Sequence, residues 1–229
     1  MSVTIQETPV RRDAPPAGET RIAIPGMTWE SYATFVGMLP EGSPIRVAFD
    51  GRTLEIMVTG PIHDDLAGLL DTFFKAAAGG MGVQYKPQRT TTWIRPEVQR
   101  GIEADDCYYL APEKIAAAFV SIEAGSNDVA DYPNPDLAIE VDISRPQADR
   151  QGIYAALRVG ELWLHNGESL RILRLGEDGR YHPADASAFL HVRPEEVERW
   201  LQDEGRRDLD AWARRIRAWA RRTLRKRRP

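Results

Sequence analysis

The sequence predicts an α/β domain of the α+β kind, a mixed central β-sheet flanked by helices. Three observations lead there. Segments with apolar residues at helical spacing interleave with short segments in which apolar and polar residues alternate. Residues 136–165 read as strand, helix and strand, the unit that builds parallel pairing. At 229 residues, 42% of them hydrophobic, the chain is long enough to bury a sizeable core without staples.

Residues 1–20 are polar, hold Pro9, Pro15 and Pro16 and lack periodicity, so they read as a disordered lead-in. The folded domain is expected over 21–204. Thr28 is a natural N-cap for a short helix to about Leu39, stopped by Pro40 and Gly42. Residues 45–50 and 53–58 form a hairpin about Gly51. Pro61 opens a long helix over about 63–78, with Leu66, Leu69, Leu70, Phe73, Phe74 and Ala77 on one face. Gly79, Gly80 and Gly82 are read as its end, not as a phosphate loop.

Residues 83–86, 90–95 and 102–110 read as three strands, 111–118 as a helical excursion and 124–132 as a loop. Residues 136–143 are the next strand. Ser144 and Gln147 match a capping box for a helix to about Val159. Two strands at 161–165 and 169–175 enclose the turn pair Asn166-Gly167. Pro194 begins a helix to about Gln202, and a basic helix follows Gly205.

Several classes are excluded. No run of 18 apolar residues exists, so a membrane-spanning helix is not expected. No basic start followed by an apolar run suggests a secretory signal. Cys107 is the sole cysteine, which rules out disulfide frameworks and cysteine-rich zinc sites and makes the cytoplasm the simplest location. The net charge of −4 hides a split: residues 205–229 carry ten Arg, one Lys and two Asp, or +9, leaving −13 on the rest. Such a split often points to an anionic partner.

Two strands carry acids. Read as one strand, 102–110 places Glu103, Asp105, Cys107 and Tyr109 on a single face; in 136–143, Asp136, Glu140 and Asp142 share the face opposite Leu137, Ile139 and Val141. Burying such groups is costly unless a cation, a basic side chain or water compensates. Acids converging from adjacent strands make an oxygen site suited to Mg²⁺ or Mn²⁺; a solvated sheet face is the plainer alternative.

The strings RGIEADDCYYL (100–110), PNPDLAIEVDIS (133–144) and IYAALRVGELW (153–163) follow one another in that order, after MTWESY (27–32) and TLEIMVTGPIHDDL (53–66). Together they resemble a large bacterial family of restriction-endonuclease-like proteins in the PD-(D/E)XK nuclease superfamily, over about residues 26–202. The resemblance implies a restriction-endonuclease-like fold, a Mg²⁺ (or Mn²⁺) cofactor and DNA as partner. It aligns Asp105 and Glu140 with the family's metal-binding acids, with Ala104 where proline is usual. Asp142 replaces the superfamily lysine, and Arg150 stands where this family commonly has a lysine on the next helix. His63 and Asp64 match a His-Glu pair; Glu55 and Glu103 lie in matching blocks.

Arginine stays charged and cannot act as a base, but it can clamp a phosphate. An ordinary salt bridge from Arg150 to Glu140 or Asp142 is the alternative. In the basic helix, Leu209, Trp212, Ile216 and Trp219 form a narrow apolar seam, while Arg214, Arg215, Arg217, Arg221 and Arg222 could meet phosphates. The seam could instead dock on the acidic body or on a second subunit as a homodimer. Two functions are therefore expected: a metal-dependent DNA endonuclease, or a catalytically inactive nuclease-like module for binding DNA or protein.

Overall fold

A computed structural model describes residues 19–40 and 42–227. The expected lead-in lies outside these residues except at its end. Glu19 and Thr20 open strand β1 (Glu19–Pro25), which pairs antiparallel with β3 along its whole length, Glu19 opposite Thr59. Thr28 caps α1 (Trp29–Met38) by accepting from the Ser31 amide. The hairpin forms as β2 (Ile45–Phe49) and β3 (Thr53–Thr59).

Helix α2 (Pro61–Met81) runs past the expected stop. Gly79 and Gly80 lie inside it, and only Gly82, at φ +72°, is the left-handed cap. The two internal glycines let another helix approach. A Cβ at Gly80 would lie 2.4 Å from the Arg217 carbonyl oxygen.

Strands β4 (Lys86–Pro87), β5 (Thr92–Arg95), β6 (Arg100–Glu103) and β7 (Asp106–Tyr109) follow. The single strand expected over 102–110 is thus two, parted by a bend at Ala104–Asp105. Side-chain alternation cannot reveal such a bend. The chain continues through α3 (Pro112–Glu123), β8 (Leu137–Val141), α4 (Arg150–Ala156), β9 (Glu161–His165), β10 (Leu170–Leu175), β11 (Tyr181–Pro183), α5 (Pro194–Leu201) and α6 (Leu209–Thr223).

The expected Ser144–Gln147 capping box does not form. Asp149 caps α4 by accepting from the Gly152 amide, while Ser144 bonds Glu19 and the Gln147 amide bonds Glu55. The 144–149 segment therefore serves a tertiary contact instead of a helix.

The sheet is divided. One sheet has the order β1-β3-β2-β6-β5 and is antiparallel throughout; the other runs β11-β10-β9-β8-β7-β4, with β8 and β9 its parallel pair across the α4 crossover. Packing follows from apolar faces. Leu70, Phe73 and Phe74 of α2 meet Trp163, Ile139 and Val141 on one face of the six-stranded sheet. Ile153 and Tyr154 of α4 meet Cys107 and Ala138 on the other. Helix α1 covers the five-stranded sheet through Tyr32, which stacks on Phe49 with centroids 4.7 Å apart.

The basic helix belongs to this core. Trp212, Ile216 and Ala220 are buried against α2, with Leu224 just beyond the helix end. Leu209, expected in the seam, is 51% exposed. Apart from Leu209, the seam packs inside the chain, against α2. Among the described residues no helix is long and apolar enough to cross a membrane.

Candidate functional site

The two sheets meet at the bend, and the predicted acids gather there. The ladder ends with Asp106 opposite Ile139, one step before Asp105 and Glu140. Beyond the ladder, the bend turns Asp105 toward α2. Its Oδ2 accepts from the Val141 amide at 2.7 Å and lies 3.1 Å from His63 Nε2 in the first turn of α2, while Oδ1 pairs with Arg46 of β2. Burial pushes the Asp105 carboxyl up, but hydrogen bonding and charge from His63 and the Arg46 charge outweigh it and hold the group below its ordinary value. His63 is shifted upward: Asp105 more than offsets burial.

Glu140 is fully buried. Arg150 Nη1 donates to its Oε2 and the Tyr154 hydroxyl donates to its Oε1. Burial, with Asp105 and Asp142 as like-charged neighbours, pushes Glu140 up to about 8 despite Arg150. Asp142, at the end of β8, is also shifted upward by burial, against the pull of Arg150 and Arg21.

Glu55 joins the site from β3. Its Oε1 takes Arg150 Nη2 at 3.1 Å and Arg21 Nη1 at 2.6 Å, and its Oε2 takes the Gln147 amide. These partners overcome burial and keep it below the ordinary carboxylate range. The predicted Arg150 salt bridge thus exists, with Glu55 as an added partner, and Asp142 Oδ1 stands 3.5 Å from Arg150 Nη1.

Glu103 and Asp64 are peripheral. Glu103 Oε2 accepts from Thr92 Oγ1, and the side chain is 3.9 Å from Arg46 Nε. Asp64 points outward, its carboxylate 3.2 Å from His63 Nδ1. The five predicted arginines of α6 are not in this site. Arg215 is paired with Asp203 at 2.6 Å, and the others are exposed, Arg217 lying over Gly79 of α2.

Sequence reasoning missed Glu19, Arg21, Arg46 and Tyr154. Glu19 accepts from the Ile143 and Ser144 amides, the Ser144 hydroxyl and Arg21. Arg21 also reaches Asp142 Oδ1 at 2.7 Å. The available signal was weak: Glu19 and Arg21 alternate onto one face of a strand beside apolar Ile22 and Ile24.

Two cavities flank the cluster. One of about 670 Å³ is bordered by Asp142, Arg145, Arg150 and Arg171. The other, about 370 Å³, is bordered by Arg46, Asp64, Glu103 and Asp105. Neither is bordered by Glu140 or Glu55.

Does this group suit a divalent cation? Glu19, Glu55, Asp105, Glu140 and Asp142 face Arg21, Arg46, Arg150 and His63, so five carboxyl groups meet three fixed positive charges, and the upward shifts of Glu140 and His63 take up the difference. His63 Nε2 is buried without a well-formed hydrogen bond. Hard oxygen donors match what Mg²⁺ or Mn²⁺ requires. Among the described residues no group of three His, Cys, Asp or Glu side chains stands at ligand spacing. The donors fit the ion in kind, and Arg150 must release Glu140 for that acid to serve.

A family model described as "Putative restriction endonuclease" matches residues 29–204. The match leaves β1 and α6 outside, although both complete the fold. No curated protein matches the chain. With its two-sheet α+β architecture and a match over most of its length, the chain belongs to the Uma2 family of restriction-endonuclease-like proteins.

Proposed function

We propose that this chain is a divalent-metal-dependent endonuclease acting on DNA phosphodiesters. The observation that supports the reading is the gathering of Asp105, Glu140 and Asp142 as interacting acids where the two sheets meet. Asp105 and Glu140 would hold Mg²⁺ or Mn²⁺. Such an ion supplies an activated water and neutralises charge at the phosphoryl group.

The residues have distinct tasks. Arg150 borders the larger cavity and stays charged at every relevant pH, so it binds phosphoryl oxygens and does not take a proton. A phosphate entering from that side competes with Glu140 for the Arg150 guanidinium. Substrate binding thereby frees Glu140, which is otherwise closed off by Arg150 and Tyr154. His63 orients Asp105, and Glu55 with Arg21 anchors the helix that carries Arg150.

The test is nicking of supercoiled plasmid with Mg²⁺ or Mn²⁺. Asp105→Ala and Glu140→Ala should each abolish it; undiminished nicking by both variants would refute the assignment. A second reading is favoured by the seated guanidinium itself: a silent nuclease fold in which Arg150 permanently replaces the ion. In that case calorimetry detects no uptake of either ion.

A further inference from the structure

The two faces of α6 differ sharply. Its inner face is used up in the core, with Trp212, Ile216 and Ala220 buried. At 100° per residue, Arg214, Arg217 and Arg221 fall within an arc of about 60° turned away from that face, Arg217 reaching back over Gly79 of α2, and Arg225 follows in the 3-10 turn 225–227 just after the helix, the four spanning about 16 Å. All four are exposed, and none forms an ion pair among the described residues. Arg222 and Lys226 flank them, and Asp210 is the one acid on that side of α6. Arg215, by contrast, is turned aside onto Asp203 and the Trp200 ring.

We propose that this arginine row is a track for the backbone of duplex DNA, outside the acid cluster. The inference deepens the nuclease reading and rests on it for the choice of DNA, since it names how the molecule holds its substrate. Guanidiniums suit phosphate oxygens, and B-DNA offers roughly ten phosphate charges over about 16 Å. A membrane surface fits less well, because α6 has no free apolar face to insert. The acidic body repels DNA at long range, so a phosphate-binding surface elsewhere on the chain is needed for capture.

The experiment uses the full chain and a fluorescent 20-base-pair duplex in EDTA, with anisotropy followed across salt concentrations. Replacing Arg214, Arg217, Arg221 and Arg225 together by Gln should weaken binding at least tenfold near 100 mM salt. Each lost phosphate contact should lower the slope of log K against log salt by about 0.9. Because Arg217 packs near Gly79, a triple variant that keeps it guards against misfolding, and its slope should fall by about 3. Unchanged affinity and slope in the triple variant overturn the proposal. So does unchanged DNA binding accompanied by loss of binding to phosphatidylglycerol vesicles, or by loss of self-association in sedimentation. Without metal no cleavage is measured, so a failed nuclease reading and a failed track give different results: the former leaves the salt slope intact.

Discussion

Arg150 Nη2 lies 3.1 Å from Glu55 Oε1, while Nη1 of the same guanidinium holds Glu140. Glu55 belongs to the five-stranded sheet and Glu140 to the six-stranded one, so one side chain fastens the two sheets together. Arg21 repeats the arrangement from the other side, joining Glu55 to Asp142, and Arg46 does so with Asp105. The candidate site is therefore also the seam of the fold.

Arg150→Ala should destabilise strongly, by about 3–5 kcal/mol, because it leaves buried carboxylates without their counter-charge. Arg150→Lys keeps the charge but cannot grip Glu55 and Glu140 with one planar fork, and should cost about 1.5–3 kcal/mol. Urea denaturation measures both. If the missing lysine is what limits turnover, the Lys variant should nick plasmid faster than the parent despite being less stable.

A second pair of acids gives a pH dependence. Burial, with Asp71 beside it, pushes Asp106 up to about 7. Its ordinary value is 3.8. Between those limits the folded state keeps a proton that the unfolded chain releases. Stability is then fully present at low pH and declines as pH rises through the window. Asp106→Asn removes the titration and should flatten the decline in melting temperature between pH 4 and pH 7. A variant that declines as steeply as the parent would assign the effect elsewhere.

Local signals were legible in the sequence because they act locally. Thr28 caps its helix, Asn166-Gly167 turns its hairpin with Gly167 at φ +91°, and the α2 stripe faces the core. Asp105 and Glu140 were placed on neighbouring strands; Glu140 lies in β8, while Asp105 sits in the bend before β7, one step beyond the last ladder pair. What failed depended on distant contacts. The bend at Ala104–Asp105 leaves alternation intact on both sides, so one strand and two strands read alike. Ser144 and Gln147 have the pattern of a cap, but Glu19 and Glu55, over 90 residues away in sequence, claim their donors. Glu19 itself follows a polar stretch and shows nothing of its four partners.

The glycine pair in α2 supplies another test. Gly79 and Gly80 have helical backbone and need no special dihedral, so their value lies in the absence of a side chain. In a free helix Gly80→Ala would be stabilising, by about 1 kcal/mol. Here the new Cβ would meet the Arg217 carbonyl at 2.4 Å and the Ala220 Cβ at 2.9 Å, so α6 must move away. The expected outcome is a net loss of about 1–3 kcal/mol in chemical denaturation. A stabilised variant would show that α6 is loosely held.

The last prediction concerns whether the segment after residue 204, where the family match ends, is an appendage. Its charge suggests one, but its packing does not. Trp212 is fully buried and donates to the Trp200 carbonyl at 3.2 Å, and Trp219 sits between Phe73 and Trp200 in tilted and edge-on contacts with centroids 6.3 and 5.7 Å away. Removing the segment uncovers the outer face of α2, including Phe73, Ala77 and Gly80. Truncation after Glu204 should therefore yield a chain that binds a hydrophobic dye and loses cooperative unfolding, while Trp212→Ala in the intact chain should cost about 3–5 kcal/mol. Both follow from the same burial: a truncated chain that melted as sharply as the whole protein would place α6 outside the core.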